Sequence, residues 1–241
     1  MTSAKRREAA AADVFAAPGW WSPDDRNYAS LRAVNSVRLQ YLFDWQRDWF
    51  GDSSPKTVVD FGCGGGLMAV PIARRGAKVV ALDRCLPALR EGAAQAVSGV
   101  HFVCGDLTAC PVQEGCADLV LLNDVLEHVD DPAATVAMAG RALRPGGAMF
   151  VNTINRTLRA RVLAVWVAEG LGMIPRGTHS ANQFVTPAEL VDAALAASMR
   201  KTHEGGESPC LWASLRTGVV ALRRSRSKAV GYCMGFQKEI A

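Results

Sequence analysis

The sequence predicts an α/β fold, a doubly wound, mostly parallel sheet of seven strands, from three observations. Thr57 to Phe61 is a β-branched, apolar run that passes at once into Gly62, Gly64, Gly65 and Gly66, and Leu67 to Arg75 then reads as helical. Strand-like runs alternate with helical segments through the middle of the chain, the pattern of parallel strands joined by crossovers. Two further strand-like runs, Val219 to Leu222 and Val230 to Phe236, flank the basic turn Arg223 to Lys228. They read as a closing hairpin that inserts an antiparallel last strand beside the sixth.

Residues 1–50 precede the first strand and hold four of the six tryptophans, Trp20, Trp21, Trp45 and Trp49. Leu31, Val34, Val37 and the run Leu39 to Phe43 suggest a helix that either covers the cleft or packs on the flank of the sheet. The expected division is an N-terminal helical lid or leader over 1–50 and a main domain over 51–241. Glycine allows the tight turn after Phe61 and a close approach of ligand to main chain, while Pro71 delays or kinks the helix that follows. Lys78 to Leu82 is a second strand ending in Asp83, and Val100 to Cys104 is a third, followed by Gly105-Asp106-Leu107. Asp118 to Asn123 is a fourth strand, leading into Asp124-Val125-Leu126-Glu127-His128. Asp131 caps a helix with Pro132 at its first position, running to about Leu143. Pro145-Gly146-Gly147 turns into a fifth strand, Ala148 to Asn152. An insertion over roughly 153–185 follows, and Thr186-Pro187-Ala188-Glu189 is a capping box opening a helix to about Ser198.

The chain has 241 residues, 49% hydrophobic and 21% charged, with a net charge of +4, which suits one soluble α/β core with additions. Basic residues cluster at Lys5 to Arg7, Arg156 to Arg161 and Arg223 to Lys228 without interleaved aromatics, so no nucleic-acid partner is expected. The seven cysteines include no C-x-x-C pair and read as reduced, small hydrophobes. The N-terminus is alanine-rich where a signal peptide needs a strongly apolar stretch, and no segment is long enough to span a bilayer.

The glycine corner carries the first chemical decision. The spacing Gly62, Gly64, Gly66 puts Leu67 where a dinucleotide fingerprint needs its third glycine, and Asp60 at the strand end would repel a pyrophosphate. A cofactor with an amino group, a sulfonium and no phosphate tolerates Asp60. Asp83 can accept both ribose hydroxyls, and Asp106, beside Leu107, can reach an adenine amino group. Ordinary strand-end aspartates around a glycine-rich turn are the plainer alternative, but three acids at three successive strand tips point to S-adenosylmethionine.

Ligands bind beyond the carboxyl ends of such strands, which puts Asn123 to His128 at the site. His128 is a candidate general base, its pKa range suiting proton removal from an oxygen acceptor, or else a structural histidine at a helix start. Asp124, Glu127 and His128 stand at i, i+3 and i+4 and would share a helical face if this turn is helical, able to hold a divalent cation; Asp124 and Glu127 could equally cap the following helix. His179, in Gly177-Thr178-His179, is a second base or substrate contact. Within the insertion, Val162 to Ala168 is apolar, contains Trp166 and is flanked by Arg156, Arg159, Arg161 and Arg176. The stretch 156–176 could lie in a membrane interface or pack as a buried helix over the site.

Several segments together resemble one family. They are VVDFGCGGG (58–66), ALD ending at Asp83, DVLEHV (124–129), LRPGG (143–147), NTINRT (152–157), IPRGTH (174–179) and TPAEL (186–190). This set is similar to the ubiquinone-biosynthesis O-methyltransferases, class I methyltransferases that act on catechol hydroxyls of polyprenylated quinone precursors. The first four pieces are shared by many methyltransferases; NTINRT with PRGTH is the more specific pair. The resemblance implies cofactor contacts at Arg38, Gly62, Asp83 and Asn123, with Asp60, Gly64, Asp106 and Leu107 from the strand tips. It implies a magnesium site at Asp124, Glu127 and His128, an aromatic acceptor, and a cytoplasmic protein that contacts the inner membrane surface through its insertion. Ser22, Arg32 and Ser36 depart from the family's N-terminal pattern, and 203–215 departs from its aromatic and proline pattern. A methyltransferase of secondary metabolism with a water-soluble acceptor, or a non-catalytic partner of this fold, are the competing expectations.

Overall fold

The computed structural model describes residues 15–26, 28–109, 112–163, 170 and 183–240. Helix α1 (Ala29–Phe50) precedes strands β1 (Thr57–Phe61), β2 (Lys78–Asp83), β3 (Val100–Cys104), β4 (Ala117–Asn123) and β5 (Leu143–Ile154). Helices α2 (Ala69–Ala73), α3 (Leu86–Ala93) and α4 (Pro132–Ala142) lie between those strands. After the short α5 (Leu158–Ala160) come α6 (Pro187–Ala196), β6 (Met199–Pro209), α7 (Leu211–Thr217), β7 (Leu222–Ser225) and β8 (Gly231–Lys238).

The strands form one sheet in the order β3-β2-β1-β4-β5-β8-β6-β7. β1 to β5 pair in parallel, β8 is antiparallel to both β5 and β6, and β7 is antiparallel to β6. The sheet therefore has eight strands where seven were expected, the eighth being β7 on the outer edge. The expected hairpin is also replaced. β7 and β8 pair with opposite edges of β6, Glu207 facing Arg224 on one side and Gly231 on the other. The connecting turn crosses directly over β6 at Gly206, where a Cβ would lie only 1.9 Å from the Ser227 carbonyl oxygen.

Side chains alternate between the two faces of the sheet with the strand period of two. Val58, Leu119, Leu121 and Phe150 meet α1, α2 and Leu89 on one side, while Val59, Phe61, Val120, Leu122 and Val151 meet α4 and α6 on the other. Burial on both faces explains why these strands read as unbroken apolar runs. α1 packs on the sheet through Tyr41, Leu42, Trp45 and Trp49, with the Trp45 and Phe150 rings 5.5 Å apart. α2 begins only at Ala69, two residues before Pro71. Asp131 accepts from the Ala134 N–H, and Thr186 with Glu189 forms the full reciprocal capping box.

Candidate active site

The parallel strands end on one edge, and the strand order reverses between β1 and β4, so a crevice opens at their carboxyl tips. The loops after these two strands meet at Gly62, whose φ is +69° and where a Cβ would lie 2.6 Å from Val125 Cγ2. Only glycine fits that crossing. Beneath the turn, buried Asp60 accepts from the Ala69 N–H, and its Oδ2 has no hydrogen-bond partner among the described residues. Burial, reinforced by the nearby Asp83 charge, pushes the Asp60 carboxyl from 3.8 up to about 8.

Asp83 is fixed at the tip of β2. The N–H groups of Gly64 and Cys85 each donate to its carboxylate at 2.8 Å. Asp106 is exposed and Leu107 half-buried at the 3-10 turn Leu107–Ala109 that follows β3. Asn123, at the tip of β4, donates through Nδ2 to Asn35 Oδ1 at 3.1 Å, while its own Oδ1 has no partner among the described residues. Asp60 Oδ2 and Asn123 Oδ1 are therefore two acceptors lacking a donor on either side of the glycine turn. They suit a ligand carrying a cationic amino group, the donor set that S-adenosylmethionine presents.

Arg38 comes to this crevice from α1. Its Nη1 donates to Asn35 Oδ1 at 3.1 Å and pairs with Asp124 Oδ2, and its Nε donates to Glu207 Oε1 at 3.1 Å. Burial alone would lower the pKa of this guanidinium, but Asp124 and Glu207 outweigh it and raise the value above the ordinary arginine range. Sequence reasoning missed Asn35 and Glu207. Asn35 was findable, because it stands three residues before Arg38 on the same helical face. Glu207 lies in a glycine-rich strand without a clear alternating pattern and gave no such signal.

Asp124, Glu127 and His128 are not gathered into a cation site. Leu126–His128 is a 3-10 turn rather than an α-helical one, and Asp124 has a φ of +53°, so the three do not share an α-helical face. Asp124 is engaged by Arg38; Glu127 is buried and accepts from Thr153 Oγ1 at 2.7 Å; the half-buried His128 ring meets Phe15 edge-on at 5.9 Å. Burial, then the Asp124 charge, pushes Glu127 from 4.5 up to about 8. Among the described residues no three His, Cys, Asp or Glu side chains are grouped to hold a metal ion. These residues thus do not fit magnesium in this arrangement. His179, Trp166 and Arg176 lie outside the described residues. Arg156, expected to face lipid, instead donates to the Phe184 carbonyl at 2.8 Å and pairs with Glu189 at 2.9 Å, closing the neck of the insertion.

The segment before α1 lies across the glycine turn. Trp21 Nε1 donates to the Gly65 carbonyl at 2.8 Å, and the N–H groups of Gly19 and Trp20 donate to the Glu91 carboxylate at 2.8 and 2.9 Å. Trp20 stacks on Tyr28 with centroids 4.3 Å apart. Arg32 ties the segment to α1 through the carbonyls of Gly19, Trp20 and Asp25, a local role for one of the residues that departs from the family pattern.

A pH dependence follows from Asp60. Because its folded pKa of about 8 lies above the ordinary 3.8, the ligand-free fold holds a proton there that the unfolded chain releases, and this group costs stability as pH rises between those values. A cation bound beside Asp60 favours the carboxylate and expels that proton. Affinity for a cationic cofactor should therefore climb with pH up to about 8 and then level. Calorimetry at neutral pH in buffers of different ionisation enthalpy should show proton release on binding, reduced in Asp60→Asn. Glu127 titrates in the same range, so the difference between parent and variant is the quantity to read. Equal release by both would remove Asp60 from the ligand's surroundings.

Comparisons with known proteins agree with this fold. Residues 59–151 match the methyltransferase domain family model. The ubiquinone biosynthesis O-methyltransferase of Agrobacterium fabrum is 39% identical over 199 residues, covering 78% of this chain and 79% of that protein. The protein of the same name from Sodalis glossinidius is 37% identical over 189 residues, covering 76% and 74%. Among solved structures, magnesium protoporphyrin IX methyltransferase from Synechocystis with bound S-adenosylhomocysteine superposes with a TM-score of 0.60 at 16% identity, covering 98% of this chain and 95% of that one. The N-methyltransferase NodS of Bradyrhizobium japonicum, also with S-adenosylhomocysteine, gives 0.63 at 12% identity, covering 96% and 98%. At such identities the structural matches speak to the fold.

Proposed function

The chain belongs to the family of ubiquinone-biosynthesis O-methyltransferases, which depend on S-adenosylmethionine, and we propose that it methylates a phenolic hydroxyl of a polyprenylated catechol in quinone biosynthesis. The observation that carries the acceptor class is the likeness to relatives bearing that name, which extends over more than three quarters of this chain.

S-adenosylmethionine supplies an electrophilic methyl group on sulfur for in-line displacement, so much of the protein's work is positioning. Asp83 receives the ribose hydroxyls. Asp106 and Leu107 border the adenine, and the backbone at Gly62 and Gly64 lies along the cofactor. Asp60 and Asn123 accept from its amino group, next to Arg38. His128, half-buried in the loop after β4, takes the proton from the acceptor hydroxyl, a contribution of about 10²–10⁴-fold. His179 is proposed as a second acceptor contact. No step is assigned to a metal, because Arg38 already engages Asp124.

A prenylated acceptor resides in a bilayer, which supports membrane contact through 156–176. Arg159 and Arg161 are the exposed arginines in the described part of that stretch left without an ion pair among the described residues. No helix among the described residues is long and apolar enough to cross a membrane. The test is incubation with S-adenosylmethionine and a panel of catechols with and without a prenyl chain, the prenylated ones supplied in vesicles. A preference in kcat/KM for the prenylated catechol is expected. A preference for polar, water-soluble acceptors would place the enzyme in secondary metabolism instead.

A further inference from the structure

We propose that α7 and the arginines around it form a docking face for an anionic lipid bilayer, beside the mouth of the active site and separate from the insertion. Exposed large hydrophobics are few among the described residues, and three of them share this one short helix: Leu211 at 51%, Trp212 at 79% and Leu215 at 60% exposure. At about 100° per residue they fall within a single arc of about 100°, with Arg216 at its border. The helix is not a loose end. Its inner residue Ser214 is buried, accepting from the Ala221 N–H at 2.9 Å and donating to the Cys210 carbonyl at 3.1 Å, which fixes the apolar side outward.

Its position follows from the topology. β6 runs in the direction of β1 to β5, so Pro209 ends on the edge where the crevice opens, and α7 starts two residues later. The Val220 N–H donates to Ser30 Oγ at 3.0 Å, in the first turn of the helix that delivers Asn35 and Arg38. Leu158, 77% exposed, follows β5 at the same edge.

The charge pattern selects the occupant. From Ser208 to Lys238 the sequence contains six basic residues, Arg216, Arg223, Arg224, Arg226, Lys228 and Lys238, and no acidic one. Arg224 is engaged with Asp44 and lies over the Tyr41 ring, and Lys228 pairs with Glu204. Arg216, Arg223 and Arg226 are exposed or half-exposed and make no ion pair among the described residues. An indole and two leucines with Arg216 at their border, and Arg223 and Arg226 in the strand and turn that follow, match the headgroup region of an anionic bilayer, where tryptophan sits at the interface and arginine meets phosphate. The inference deepens the proposed acceptor class, since a prenylated substrate would approach along this edge, but docking itself does not require that acceptor.

The test is co-sedimentation of the full chain with phosphatidylcholine vesicles and with mixed phosphatidylcholine–phosphatidylglycerol vesicles. The parent should bind the mixed vesicles and weaken at high salt. Trp212→Ser with Leu215→Ser should reduce that partition about tenfold or more. Arg216→Glu with Arg223→Glu should abolish the preference for phosphatidylglycerol. All variants should keep the parent's melting temperature, because the changed side chains are exposed and pack on no core residue. Parent-like binding by the apolar variant would overturn the proposal, as would a parent that ignores anionic vesicles. So would a parent dimer that Trp212→Ser dissolves, which would make this face a contact between copies of the chain. Failure of the parent to methylate any catechol would overturn the proposed function and leave the docking result standing.

Discussion

Asp83→Ala is expected to weaken S-adenosylmethionine binding more than tenfold while the fold stays intact. Asp83 closes β2 at the carboxyl edge of the sheet, and its carboxylate is aimed by two backbone donors, Gly64 and Cys85. A carboxylate so placed can accept from both ribose hydroxyls, and losing that pair costs about 1.5–3 kcal/mol. The side chain is only partly buried, and its loss removes two hydrogen bonds from the Gly64 and Cys85 N–H groups, so the thermal unfolding temperature of the ligand-free protein should fall only modestly. Removing it also frees the Gly64 N–H and loosens the turn, which adds to the loss. Asp83→Asn keeps the shape but cannot accept as a carboxylate does, and should fall between parent and alanine variant. Calorimetric titration with an unchanged dissociation constant would take Asp83 out of the site.

The second large effect is on stability. Arg38→Met should destabilise the protein by about 3–5 kcal/mol, because it leaves buried negative charge without its partner. Glu207 is fully enclosed, whereas the Asp124 side chain is 21% exposed, so water offsets part of the loss and the lower end of that range is expected. The sign with pH is fixed. The lost attraction is one between charges, so acid, which removes the negative charge, shrinks the deficit, and the deficit grows as pH rises. Adding Glu207→Gln to the methionine variant should recover part of the lost stability. Denaturant unfolding at acid and at mildly alkaline pH measures both effects, and an equal deficit at the two pH values would contradict the electrostatic account.

Much of the cofactor half was legible because its signals are local. The β-branched run before Gly62, the aspartates at the ends of β1 and β2, Asp131 before Pro132 and the Thr186–Glu189 box each act over a few residues, and each is found where the sequence placed it. What was illegible depends on contacts distant in sequence. Glu207 reaches Arg38 across 169 positions, and nothing near it in sequence announces a buried carboxylate. The crossing of the 226–230 turn over Gly206 turned an expected hairpin into two strands flanking β6, because what decides the path is the missing Cβ beneath it. The grouping of Asp124, Glu127 and His128 assumed α-helical spacing in a loop that forms a 3-10 turn, and Arg38 arrives from α1 to engage the first of them.

The most direct test of the account is where the methyl group goes. Purified protein incubated with methyl-labelled S-adenosylmethionine and a catechol should yield the monomethyl ether, with the label located on a phenolic oxygen by mass spectrometry and no labelled product from the catechol dimethyl ether, which has no free hydroxyl. Label on a ring carbon of the acceptor, or no transfer at all by a protein that still binds the cofactor, would contradict it.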